Sequence, residues 1–421
     1  MPNYDKGKSP VSVLIIGAGP VGLLLANLLG RQQVPVLVAE QRTNFPEWSR
    51  AIGITPPSLE ILKSAGLHDL AEKRGVRVQN AHVHDDRGSA GQVSFADIDS
   101  EFRHILTLPQ CETMKILADN LSRFPSVRVC YGQRLISLRR AKGYVLAEFQ
   151  SPEANGNRQL QARWVVGCDG ADSSVRRLAG CTFKRRHYAP RFLMADYDDH
   201  TDLGTQAHLY FKHDGSVESF PLPDKQRRWV ALANDLTTRD DCTQLLEKHV
   251  VARTGYSLTD STRRSPVFEF IPERVDLKRI AFKHILLAGD AAHVMSPIGG
   301  QGMNTGFADA ELAATILPRL LDGEDPEPLL AAYDTCRRRA AAVARRRAAF
   351  GMWVGTRTGR FPASIRNLAL RTLMASPAAA HIAPYFAMLT IPYNRAAKAT
   401  ISPSAKRSRV QGGRETFSRR G

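Results

Sequence analysis

Gly17-Ala18-Gly19-Pro20-Val21-Gly22 is a G-x-G-x-x-G run set between an apolar strand-like stretch, Val11-Ser12-Val13-Leu14-Ile15-Ile16, and an apolar helix-like stretch from Pro20 to Leu29. In that setting the first glycine makes a tight turn, the second lets a pyrophosphate approach the backbone, and the third lets helix and strand pack closely. The helix N-terminus then offers unpaired N–H groups and a partial positive charge to the phosphates. Glu40 follows the second strand-like stretch, Pro35-Val36-Leu37-Val38-Ala39, 18 residues beyond Gly22, and Gln41 and Arg42 come after it. A carboxylate there suits a ribose with free hydroxyls and repels a 2′-phosphate. The pair points to an unphosphorylated adenosine half, FAD or NAD, against the plainer alternative of a structural glycine turn.

A second constellation separates those two. Gly289-Asp290 follows the apolar run Ile285-Leu286-Leu287-Ala288, and Pro297-Ile298-Gly299-Gly300-Gln301-Gly302-Met303-Asn304 opens a helix. An Asp at a strand end can accept hydrogen bonds from a chain of hydroxyls. A glycine-rich loop at a helix N-terminus presents N–H groups to an anion. Reduced flavin carries negative charge at its N1–O2 edge and NAD does not, so the two sites together suit one long ligand, FAD.

These motifs resemble those of the para-hydroxybenzoate-hydroxylase-like flavoprotein monooxygenases. Leu286 to His293 and the loop Pro297 to Asn304 look like that family's second FAD fingerprint. Cys168-Asp169-Gly170-Ala171-Asp172-Ser173-Ser174-Val175-Arg176 is similar to its Asp-Gly motif, which serves both FAD and NAD(P)H. Arg50-Ala51-Ile52-Gly53 matches the stretch where an Arg meets the cofactor phosphates, and Gln110 matches a position that contacts the flavin side chain. The matches keep the family's order across about residues 11 to 345.

The resemblance implies a single-component FAD-dependent monooxygenase. NADH or NADPH reduces the flavin, O2 forms a flavin C4a-hydroperoxide, and an aromatic or phenol-like substrate takes one oxygen atom. It gives Pro297 a part through its backbone carbonyl. His293 invites a role as acid or base but is mainly structural in the family, and Arg176 either meets the nicotinamide nucleotide or caps its helix. The alternative is an FAD-dependent reductase or epoxidase acting on an isoprenoid or lipid substrate. No metal site is expected.

The elements that must position these residues alternate strand and helix, which predicts an α/β fold. The expected plan is a Rossmann-like FAD-binding part over 1–185, with inserted substrate-side elements around 75–110. A mostly antiparallel substrate-binding sheet over 186–275 follows, because strand-like stretches there are separated by turn chemistry such as Asp214-Gly215. Then come a second FAD-binding part with a long helix over 276–345, a C-terminal helical region over 346–404, and a basic, disordered tail over 405–421.

The six cysteines are scattered without CxxC pairing, which fits reduced thiols in a cytoplasmic protein. From Cys336 onward the chain carries 18 Lys or Arg and one acidic residue, which is the whole net charge of +17. Solvated helix and tail, or peripheral attachment to the inner face of an anionic membrane, both account for such a region. A nucleic-acid partner is not expected, because no recognition fold is visible. Assembly as a homodimer is open to such a chain.

Overall fold

The computed structural model describes residues 10–150, 157–237, 241–391 and 394. The expected tail over 405–421 lies outside the described residues.

Apolar runs that can be buried on both faces form the centre of the molecule. Five parallel strands lie side by side in the order Ile285–Leu287, Arg158–Gly167, Val11–Ile16, Val36–Ala39 and Val127–Cys130. The N-terminal half of the long strand Arg158–Gly167 also carries an antiparallel meander, Tyr144–Gln150 and Arg134–Ala141. The helices Pro20–Gly30 and Gln301–Leu321 pack together on this sheet, with Leu23, Leu24, Leu25, Ile316 and Leu317 in one continuous core. Asn27 is buried there without cost because its amide donates to the carbonyls of Leu23 and Leu117, both at 2.8 Å, and its oxygen accepts from Asn120.

Register gathers the site. Ile16 pairs with Gly167 on one side and Ala39 on the other, and Gly167 pairs with Leu287. The chain therefore leaves the sheet at Gly17, Cys168, Ala288 and Glu40 along one edge, the carboxyl ends of the parallel strands, where open α/β sheets bind ligands.

A second sheet of seven strands stands apart from the first. Its order is Phe268–Phe270, Phe192–Asp198, Gln226–Leu232, Gly215–Leu222, Ala207–Lys212, Asn80–Asp85 and Gly88–Ser94. All its pairings are antiparallel except that of Ala207–Lys212 with Asn80–Asp85. The strand alternation divides its side chains. Leu193, Tyr197, Val217, Trp229 and Ala231 form a core under the helix Cys242–Thr254, and the alternate residues face the other way.

The C-terminal helices Pro326–Gly355, Arg360–Met374 and Ile382–Phe386 close over this arrangement. Part of their positive charge is internal. Arg337 is 1% exposed and Arg366 is 3% exposed, so the basic composition of this region is not all outward charge. Arg366 donates to the carbonyls of Phe211 and Lys212, and Arg371 grips both oxygens of Asp85 at 2.6 Å, tying the helix to the seven-stranded sheet. Among the described residues, no helix is long and apolar enough to cross a membrane.

Candidate active site

A single cavity of about 1440 Å³ runs from the glycine turn to the inward face of the second sheet. Its near half is built from the motifs. Gly17 has φ +105°, and a Cβ there would meet the carbonyl oxygen of Cys168 at 2.5 Å. A Cβ on Gly22 would meet the carbonyl oxygen of Gly17 at 2.1 Å. The turn therefore brings the helix Pro20–Gly30 against the Cys168 strand end as only glycine permits. Glu40 is fixed over this turn, its two oxygens accepting from the amides of Ala18 at 2.7 Å and Arg42 at 2.9 Å. Gly17, Gly19, Pro20, Val21, Glu40, Gln41, Arg42, Arg50, Ala51, Gly53 and Gln110 all line the cavity.

The second constellation arrives at the same wall. Gly289, Asp290, Pro297, Gly300, Gly302 and Met303 line it, as do Asp169 and Gly170. Contact between the two distant motifs is direct. A Cβ added to Gly289 would lie 2.9 Å from Val21, and one added to Gly306 would lie 2.6 Å from Val21 and 3.1 Å from the Gly289 Cα. Asp290 projects into the cavity, where desolvation by the surrounding walls pushes its pKa up. Gly300, with φ +63°, caps the 21-residue helix Gln301–Leu321, whose first residues line the cavity.

Four predicted residues do not reach the cavity wall. Gly22 is packed against the turn. Asn304 buttresses it from behind: its amide donates to the carbonyls of Gly53 and Gly300, and its oxygen accepts from the Thr55 amide at 3.0 Å. Arg176, which was expected to meet either nicotinamide nucleotide or its own helix, is 1% exposed. It donates to the carbonyls of Ala171, Asp290 and Ala291 and lies 4.6 Å over the Phe183 ring. It thus joins the Asp169–Gly170 loop to the Asp290 loop. His293 turns away as well, with Nε2 at 2.7 Å from Asp309.

Asp309 is the hub of a buried network. Its carboxylate also accepts from the Gly289 amide at 2.8 Å and from Arg337 Nε at 2.6 Å. Burial alone would raise its pKa, but His293 and Arg337 more than offset that and hold it below the usual carboxylate range. Asp169 is used locally: one oxygen accepts from the amides of Ser174 and Val175 at the start of a short helix. Burial there pushes its pKa up despite those bonds.

The far half of the cavity is apolar and its residues carry no sequence signal. Val83, Met194, Leu209, Phe211, Phe220 and Val230 line it from the second sheet. Two charged residues interrupt this face, Glu218 and Arg228. Arg228 grips both oxygens of Asp196 at 2.6 and 2.8 Å and donates to the Arg50 carbonyl at 2.6 Å, which fastens the sheet to the cofactor-side loop. Arg50 itself lies 5.9 Å over the Phe270 ring.

A profile of the FAD binding domain family matches residues 10–348. The chain belongs to that family.

Its curated relatives include rifampicin monooxygenase of Streptomyces venezuelae, 30% identical over 329 residues, covering 76% of this chain and 67% of the relative. The 3-(3-hydroxy-phenyl)propionate/3-hydroxycinnamic acid hydroxylase of Comamonas testosteroni is 33% identical over 349 residues, covering 77% of this chain and 55% of the relative. The chain thus spans between 55 and 67% of the length of these two proteins. In three dimensions it resembles p-nitrophenol 4-monooxygenase of Pseudomonas putida DLL-E4, with a TM-score of 0.82 and 22% identity over 90% of this chain and 97% of that one. That likeness shows the fold, an FAD-binding α/β body with an inserted sheet and C-terminal helices. The family's cofactor is FAD, and the structure fits it on its own terms. The cradle at Gly17 and Gly22 is too tight for any side chain, two helix N-termini open onto one cavity, and Glu40 and Asp290 face it from either end.

Proposed function

We propose that this chain is an FAD-dependent monooxygenase that hydroxylates an aromatic, phenol-like substrate, using NADH or NADPH and O2. The observation that carries this reading is the continuity of the cavity: the dinucleotide cradle and an apolar chamber are one space. The names of the relatives, a rifampicin monooxygenase and a hydroxyphenylpropionate hydroxylase, support the same reaction class. The overall reaction consumes one O2 and one NAD(P)H, places one oxygen atom on the substrate and releases the other as water.

The residues of this chain divide the work. The turn at Gly17 and Gly19 and the first amides of the helix Pro20–Gly30 would hold the pyrophosphate. Glu40 would accept from the adenosine ribose, and Asp290 from the hydroxyl chain next to the ring. The amides that open the helix Gln301–Leu321, with the loop at Pro297, would face the ring edge where negative charge develops. Bound FAD supplies the redox chemistry, taking a hydride from the nicotinamide and activating O2. The chamber walls of Val83, Met194, Leu209, Phe211 and Val230 keep water from the reacting centre, which suppresses wasteful loss of reducing equivalents as peroxide.

Oxygen-electrode measurements test the reading against the reductase alternative. Substrate-stimulated NAD(P)H oxidation should consume O2 in equal amount. Stimulated NAD(P)H oxidation without O2 uptake would show a reductase.

A further inference from the structure

The inward face of the second sheet carries a carboxyl group in the middle of an apolar field. Glu218 lies on the strand Gly215–Leu222, directly opposite Leu209 on one neighbouring strand and Val230 on the other. Phe220 follows on the same face two residues along, and Val83 and Met194 flank Leu209 and Val230. All six of these residues line the cavity. Among the described residues, no hydrogen bond or ion pair reaches the Glu218 side chain.

The other charged and titratable groups of this chamber are already engaged or belong to other walls. Arg228 is bound to Asp196. Arg347, from the helix Pro326–Gly355, donates to the Tyr385 carbonyl and to Thr390 and lies 4.4 Å over the Tyr385 ring. Arg50 lies over Phe270, and His381 reaches the cavity from the C-terminal segment. Burial is the one cause that moves the pKa of Glu218, and it pushes it up to about 7. An apolar residue between Leu209 and Val230 would make a more stable sheet, because an unpartnered carboxyl in such a wall is costly. Groups kept at such a cost, in a cleft, mark functional positions.

We infer that Glu218 is the specificity-determining acceptor of the chamber, taking the hydrogen bond, and in turnover the proton, of a hydroxyl group on an otherwise apolar aromatic substrate. This rests on the monooxygenase reading for its chemistry and on the cavity geometry for its position. In the step, the substrate O–H bond breaks and a carboxyl O–H bond forms on Glu218. The electron pair stays on the substrate oxygen, where it enriches the ring for attack on an electrophilic oxygen, and the proton returns to that oxygen afterwards. A substrate that turned a carboxylate toward this wall would meet repulsion from ionised Glu218, so the group that faces it is a hydrogen-bond donor and not an acid.

The test uses the full chain loaded with oxidised FAD and no nicotinamide donor, so it reads binding independently of oxygen chemistry. Affinities for 2-naphthol and for 2-methoxynaphthalene are taken from the perturbation of the flavin absorbance, about one unit below and above pH 7. A phenol of ordinary pKa, near 10, stays protonated in this window. The wild type should prefer the naphthol by about tenfold or more on the alkaline side, the scale of one hydrogen bond to a charged acceptor. That preference should fade on the acid side, where protonated Glu218 can donate to the ether. Glu218→Gln and Glu218→Leu should both hold FAD, and both should lose the pH dependence and most of the preference. Leu provides the second variant because it completes the apolar wall even if Gln folds poorly. Variants that keep the wild-type preference and pH profile would overturn the assignment, as would a wild type that does not distinguish the two probes. Success here with no oxygen transfer in turnover would leave Glu218 as a binding residue and remove the monooxygenase reading alone.

Discussion

The amide of Gly289 donates to a carboxylate oxygen of Asp309 at 2.8 Å, across 20 residues of chain. This bond helps anchor the turn that presents Asp290 to the cavity to the buried His293, Asp309 and Arg337 network.

Breaking that network should therefore loosen the site from behind. Arg337→Met leaves a buried carboxylate without its guanidinium, and such losses typically cost about 3–5 kcal/mol. Equilibrium denaturation should show a loss of that order and weaker FAD retention. The pH dependence has a definite sign. Asp309 has a folded pKa below its unfolded value, so its contribution is present above the ordinary carboxylate range and is lost as pH falls through the folded pKa. Acid unfolding of Asp309→Asn should show a shallower limb than that of the wild type. An equally steep limb would remove Asp309 from the account of stability.

Gly306 tests whether the two distant motifs meet as described. A Cβ there lies 2.6 Å from a Val21 methyl. Gly306→Ala should push the helix Gln301–Leu321 away from the glycine turn and weaken FAD binding by about tenfold, the scale of a core overpacking cost. Adding Val21→Ala should recover part of the loss, because it removes the nearer atom. Additive effects of the two substitutions would argue against direct contact.

Asp290→Ala should lose FAD or hold it far more weakly, read from the flavin absorbance of the purified protein. A variant that stays yellow with unchanged affinity would refute the assignment of Asp290 to the cofactor.

Glu218 makes a stability prediction of its own. Its folded pKa, about 7, lies above the ordinary glutamate value of 4.5. The folded protein holds a proton that the unfolded chain releases, so this position loses stability as pH rises from about 4.5 to about 7 and is level above that. The melting temperature of Glu218→Gln should gain on the wild type across that interval. A constant difference would mean that the carboxyl titrates normally.

The near half of the site was legible because its chemistry is local. Gly17, Gly19 and Gly22 act through the turn they occupy, and Glu40 and Asp290 each follow closely on a strand whose apolar run announces it. The far half was hidden for physical reasons. Ser216, Glu218 and Phe220 alternate with Val217, Ser219 and Pro221, and a carboxylate on such a strand reads as facing solvent, whereas this face looks into a cavity. Pairing Ala207–Lys212 with Asn80–Asp85 joins segments more than a hundred residues apart, and no local pattern specifies that register. Arg337 stands first in a run of three arginines that reads as surface charge. Only the fold shows that it points inward to Asp309 while Arg338 stays at the surface with Asp334.

In the proposed reaction one atom of O2 reaches an aromatic ring held between FAD and the second sheet. The direct measurement is turnover of neutral phenols, 2-naphthol among them, with NAD(P)H under isotopically heavy O2, followed by mass spectrometry of the product. The phenol that most stimulates NAD(P)H oxidation should gain one heavy oxygen atom, and none when the label is in water. Stimulated oxidation that leaves every phenol unlabelled and unchanged would contradict it.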